Sequence, residues 1–194
     1  MKFIVLLVVL ATCIACNDKK ETTIVETNQE TMIDADEDMS KLFDDPEEEG
    51  SKMLVGKIEV SELFTDRFAW FKTEFDGFTL EEETKASLTE ALKDKEILVV
   101  MGTWCEDSQR EVPRLVKILA NINHEYGPKI IAVNRDKDIP EGLENVENIA
   151  YVPTIIILED GTELGRIVES TQETLEKDLL AIATGQDYKH IYEE

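Results

Sequence analysis

The chain has 194 residues, which is room for one domain with extensions and too little for two. Acidic residues outnumber basic ones 43 to 20, for a net charge of −23. Nucleic-acid binding depends on basic surface that displaces counterions, so no nucleic-acid partner is expected.

Met1-Lys2 and the apolar run Phe3–Ala11 read as a secretory leader, because the run is shorter than the roughly 20 residues a spanning helix needs. Cys13-Ile14-Ala15-Cys16 resembles a bacterial lipoprotein cleavage site, with a small residue before an acylated cysteine. This makes Cys16 the candidate lipid anchor. Leu10-Ala11-Thr12-Cys13 offers a second candidate at Cys13. The expected location is the bacterial cell envelope, lipid-anchored and facing the periplasm or the cell surface, with residues 1–16 as the signal. Residues 17–50 carry 13 Asp and Glu against 3 Lys, with Phe43 the one aromatic. Such a segment has too little apolar surface to offset its chain entropy, so it is expected to be a disordered acidic tether.

From Ser51 the pattern changes, and residues 51–94 read as a mainly helical N-terminal extension. Val55 to Val60 suits a short strand. Phe64, Phe68, Phe71 and Phe75 recur at i, i+4, i+7 and i+11, which is one face of a helix and a core stripe. Thr79 and Glu82 have capping-box spacing for a helix carrying Leu88, Ala91 and Leu92. A strand is expected at Glu96–Met101, then a helix from about Glu106 to Ile122 with Pro113 inside it. Lys129–Asn134 reads as the next strand, and the almost wholly apolar Thr154–Leu158 as one covered on both faces. Asp160-Gly161 is a hairpin turn leading to a return strand, Glu163–Val168. Ser170 and Glu173 have the spacing to cap a last helix, which Gly185 stops. The order defines an α/β sheet whose active turn lies at the carboxyl end of a strand.

That turn is Trp104-Cys105-Glu106-Asp107-Ser108. A cysteine where a buried strand becomes a helix lies beside the positive end of the helix dipole. A redox pair would place a second cysteine at position 108, where this chain has Ser108. Once the leader is removed, Cys105 is the remaining free thiol. Glu106 and Asp107 bring negative charge to it, Arg135 is a candidate positive charge, and Ser108 a candidate hydrogen-bond donor to the sulfur. His124 and His190 are far from any cysteine in sequence, and no phosphate loop or dinucleotide fingerprint occurs, so no metal and no cofactor are expected.

The Trp-Cys-x-x-Ser motif, Pro113 five residues after Ser108, Val152-Pro153-Thr154 before an apolar strand and the Asp160-Gly161 turn occur in this order over residues 95–185. Together they resemble the thioredoxin fold. The resemblance implies a thioredoxin-like central sheet flanked by helices over residues 95–194. It implies that Cys105 is the nucleophile, Trp104 its flanking platform, and Val152-Pro153 a ledge that docks extended substrate, with Pro153 cis. Two positions depart from the family: Ser108 stands where the resolving cysteine belongs, and Val99 stands where a buried acid belongs.

Two functions are compatible with these residues. In the first, Cys105 exchanges with protein or small-molecule disulfides and an external thiol releases it. In the second, the fold is a redox-inactive module that grips extended peptide beside Pro153.

Overall fold

The computed structural model describes residues 40–193 apart from 142, 144, 145 and 147, so the leader, Cys16 and most of the acidic tether lie outside the described residues. Two strands open the described chain, β1 (Lys41–Asp44) and β2 (Lys52–Ile58). Three helical pieces follow: α1 (Val60–Leu63), a 3-10 turn (Asp66–Phe68) and α2 (Ala69–Gly77). After α3 (Glu82–Leu92) come β3 (Glu96–Met101), α4 (Glu106–Asn121) and β4 (Pro128–Ala132). The chain closes with β5 (Thr154–Glu159), β6 (Thr162–Val168) and α5 (Leu175–Ala183).

Among the described residues the strands form one sheet in the order β1-β2-β4-β3-β5-β6. Only β3 and β4 run parallel, with Val99 opposite Ile130. The helix α4 makes the crossover that a parallel pair requires. The other neighbours are antiparallel, including β3–β5 with Val99 opposite Ile155. The element order predicted an α/β sheet and the resemblance a central sheet flanked by helices; the sheet is both, with mixed strand directions.

Strand alternation sends residues to two cores. Ile97, Val99 and Met101 join the larger core with Leu115, Ile118, Ile155 and Ile157. Val100 joins a smaller one with Ile131, Val133 and Val152, against which Leu98, Trp104 and Cys105 pack. Burial on both faces explains why β5 reads as an unbroken apolar run, with Thr154 through Ile157 all buried. Asp160 and Gly161 take φ of 50° and 75°, the two left-handed residues that a tight hairpin turn needs.

Several expectations are corrected. Residues 41–44 of the acidic segment are a strand, pairing with β2 from Lys41–Val55 to Asp44–Lys52. Phe43 is a strong strand former, and with Leu42 it gives this stretch apolar side chains between its charged neighbours. The phenylalanine stripe is not one helix, because the chain is extended at Thr65 (φ −118°, ψ 160°). The rings meet regardless: Phe64 packs edge-on to Phe71 and Phe75, with centroids 4.8 and 5.2 Å apart. Ring packing, which a bent path serves equally well, outweighs helical continuity here. The helix α3 starts at Glu82 with Glu81 as its N-cap, so Thr79 is not the cap, and the intervening Leu80 is buried. The helix α5 is capped by Thr174, whose hydroxyl accepts from the Lys177 N–H, and not by Ser170. The turn before it is organised by the buried Asp178, whose carboxylate takes the N–H groups of Gln172 and Glu173 at 2.6 and 3.2 Å and the Tyr188 hydroxyl at 3.0 Å. Gly185 ends the helix with φ 69°, as its position predicted.

Candidate functional site

At the end of β3 the chain turns through Gly102-Thr103-Trp104 and enters α4. Cys105 is the N-cap of this helix, with extended backbone (φ −92°, ψ 124°), and its carbonyl accepts the first helical bond from Gln109 at 2.9 Å. The turn is closed by the Cys105 N–H on the Gly102 carbonyl at 3.0 Å. It is fastened to its surroundings by Thr103, whose hydroxyl accepts the Leu54 N–H at 3.1 Å and whose carbonyl accepts from Gln109 Nε2 at 2.9 Å. The half-buried Cys105 therefore sits on a fixed turn at the positive end of a 16-residue helix.

The Val152–Pro153 peptide bond is cis, as the resemblance implied. The Cys105 thiol donates to the Val152 carbonyl oxygen at 3.1 Å, which brings residues 47 apart in sequence into contact. On the far side of the ledge, the Pro153 carbonyl accepts the Glu169 N–H at 2.7 Å. Trp104 is fixed on three sides. Its Nε1–H donates to the Val133 carbonyl at 3.0 Å, and the Arg135 guanidinium carbon lies 4.8 Å from its ring centroid. At Gly102 a Cβ would fall 2.5 Å from the Trp104 ring, so glycine is required there for space and not for its backbone angles.

Trp104, Cys105, Val152 and Pro153 are thus brought together. Ser108 is not turned to the sulfur: it is fully buried, and its hydroxyl accepts the Gly102 N–H at 3.3 Å. It braces the turn from inside. Glu106 is exposed, and the Asp107 charge is offset by Arg110 at 2.7 Å. Arg135 is committed elsewhere. Its fork grips Asp45 at 3.0 and 2.8 Å and its third arm reaches Glu47 at 2.8 Å, while its face covers Trp104. The Arg135 pair holds the Asp45 carboxyl below its ordinary value, against the opposing cost of burial, and Asp45 raises the Arg135 guanidinium in turn.

Sequence reasoning missed Asp45, because it lies in the segment read as a tether. Its signal was local: Leu42-Phe43 before Asp44-Asp45-Pro46, then Gly50 and a strand pattern, has the form of a hairpin. The Val99 position, where the family would carry a buried acid, lies fully buried in the larger core. Among the described residues no group of three or more His, Cys, Asp or Glu could hold a metal ion.

A mixed sheet with a cysteine capping the helix after its central strand and a cis-proline facing that cysteine defines the thioredoxin class of folds. The family model described as thioredoxin matches residues 70–181, more than half of the chain, and the chain belongs to this family. The match begins in α2, so β1, β2 and α1 lie outside it. No curated protein matches the chain. Among solved structures, a protein of unknown function from Pseudomonas aeruginosa is 19% identical, with 60% of this chain and 81% of that one covered and a TM-score of 0.45. An HIV epitope-scaffold is 21% identical, with 60% and 72% covered and a TM-score of 0.40.

Proposed function

We propose that this protein is a single-cysteine thiol–disulfide exchange protein, held at the bacterial cell envelope by a lipid on Cys16. The observation that carries the reading is the Cys105 thiol at the N-cap of α4, 3.1 Å from the carbonyl that precedes the cis-proline. A sulfur there is aimed at the ledge where an extended chain would lie, at the N-terminal end of α4.

Exchange starts when the Cys105 thiol, which donates to the Val152 oxygen, gives up its proton to solvent water. The Cys105 thiolate attacks one sulfur of a substrate disulfide. That S–S bond breaks, a mixed disulfide forms, and the other substrate sulfur leaves as a thiolate. Because Ser108 cannot form a second S–S bond, an external thiolate must attack the mixed disulfide. It restores the Cys105 thiolate and carries the substrate sulfur away in a new disulfide. Trp104 walls the site, and Val152-Pro153 dock the substrate backbone. Partners are accordingly protein or small-molecule disulfides and thiols.

The test is steady-state turnover of a disulfide substrate at rising concentrations of an external monothiol. The mechanism requires the rate to follow external thiol without reaching a plateau set by internal resolution, and Cys105→Ser to abolish it. If Cys105→Ser retains the activity, or if peptide binds beside Pro153 with no covalent step, the binding-module reading replaces this one.

A further inference from the structure

We infer that Asp45 is a positioning residue: through the Arg135 fork it holds the Trp104 indole flat beside Cys105, so the acidic turn between β1 and β2 sets the shape of the site. The consequence for substrate capture rests on the exchange reading above, whereas the clamp itself does not.

Asp45 has a side chain only 1% exposed, a costly place for a carboxylate unless it is paired. It is held from every side. Its own N–H bonds to the Ser51 carbonyl at 3.0 Å, and its Oδ1 accepts the Glu47 N–H at 3.0 Å. Both of its oxygens take Arg135, through Nε at 3.0 Å and Nη2 at 2.8 Å. A two-point grip fixes the plane of the guanidinium as well as its place. Glu47 takes the remaining arm, and the fixed plane lies over the Trp104 ring. The Val133 carbonyl on the indole N–H and the absent side chain at Gly102 complete the seat. Trp104 and Cys105 are chain neighbours packed against the same small core, so an indole that leaves its seat changes the wall next to the sulfur.

The clamp joins residues 90 apart, and its acidic half lies outside the matched family region.

An ion pair that merely pinned the hairpin would leave Trp104 unaffected, and this difference is measurable. The full chain has two tryptophans, so Trp70→Phe leaves Trp104 as the sole fluorophore. In that background, acrylamide quenching reads how tightly the indole is seated. The rate of mixed-disulfide formation with a disulfide-linked dimer of a short uncharged cysteine peptide reads the site. Asp45→Asn is expected to raise quenching and slow capture several-fold. Arg135→Lys keeps a charge opposite Asp45, and so keeps the hairpin, but loses the planar fork. It should raise quenching as well, and it decides the matter if Asp45→Asn fails to fold. In a Trp104→Leu background Asp45→Asn should slow capture no further. Unchanged quenching in Arg135→Lys, or an equal loss of capture with and without Trp104, overturns the inference. If the unsubstituted protein forms no mixed disulfide, the exchange reading falls alone, and the quenching arm still decides the clamp.

Discussion

Replacing Gly102 with alanine tests how rigidly the site is built. The new Cβ would lie 2.5 Å from Trp104 Cε2 and 2.8 Å from both Cζ2 and Nε1. Ordinary carbon contacts are about 3.5–4.0 Å, so the indole would have to retreat by roughly 1 Å. It cannot do so freely. A retreat of that size stretches the 3.0 Å bond from Nε1–H to the Val133 carbonyl beyond hydrogen-bonding range and pushes the ring toward Arg135. Overpacking costs about 1–3 kcal/mol and the lost hydrogen bond about 0.5–1.5, for a total of roughly 2–4 kcal/mol. At about 2–4 °C per kcal/mol for a domain of this size, Tm should fall by roughly 4–16 °C. Thermal unfolding followed by circular dichroism measures the change, and the same substitution in a Trp104→Leu background should cost much less. A Gly102→Ala protein that melts with the wild type, or an equal penalty without the indole, would refute the reasoning.

Asp178→Ala should destabilise the protein by about 2–4 kcal/mol in denaturant melts, because it leaves the Gln172 and Glu173 N–H groups and the Tyr188 hydroxyl without their acceptor. Acid should weaken the β1–β2 hairpin only at low pH. The Asp45 carboxyl is lowered from its ordinary 3.8, so its stabilisation is complete above that value and is lost as pH falls through the lower folded value. Exchange of the β1–β2 amides, compared between wild type and Asp45→Asn from pH 5 downward, should converge only in the acid range. Ser108→Cys should form a disulfide with Cys105 and raise reduction of protein disulfides strongly, since internal resolution enjoys effective molarities of about 10⁵ M or more. Position 108 lies one turn into α4, but its side chain is buried against Gly102, so the new sulfur must rotate from that seat; a variant that stays reduced under oxidant shows that it does not.

The parts legible in sequence were those whose cause is local. β3 and β5 stood out because burial on both faces makes unbroken apolar runs, and the α4 start because a strand gives way to a polar first turn. The cis-proline opposite Cys105 came through family resemblance alone, since nothing in Val152-Pro153 itself states what it will face. What stayed hidden was settled by partners distant along the chain. Arg135 looked like a charge for the sulfur, yet Asp45, 90 residues away, claims its fork. Ser108 looked like a donor to Cys105, yet its nearest need is the Gly102 N–H left at the end of β3. The α5 cap was misplaced because the helix starts later, with Thr174 as its cap, and Asp178, inside the helix, reaches back six residues to the Gln172 N–H and organises the turn that follows Ser170. Acidic composition concealed β1 because two apolar residues, Leu42 and Phe43, are too few to outweigh the charge around them.

The central claim is that Cys105 forms a covalent bond that this chain cannot resolve by itself. Intact-mass analysis after mixing the protein with a disulfide-linked peptide dimer, with no added thiol, tests it most directly. One peptide should remain attached at Cys105, persist until an external thiol is added and then leave, and Cys105→Ser should acquire none. An unmodified mass at every time point, or an adduct that vanishes without external thiol, would contradict the single-cysteine mechanism.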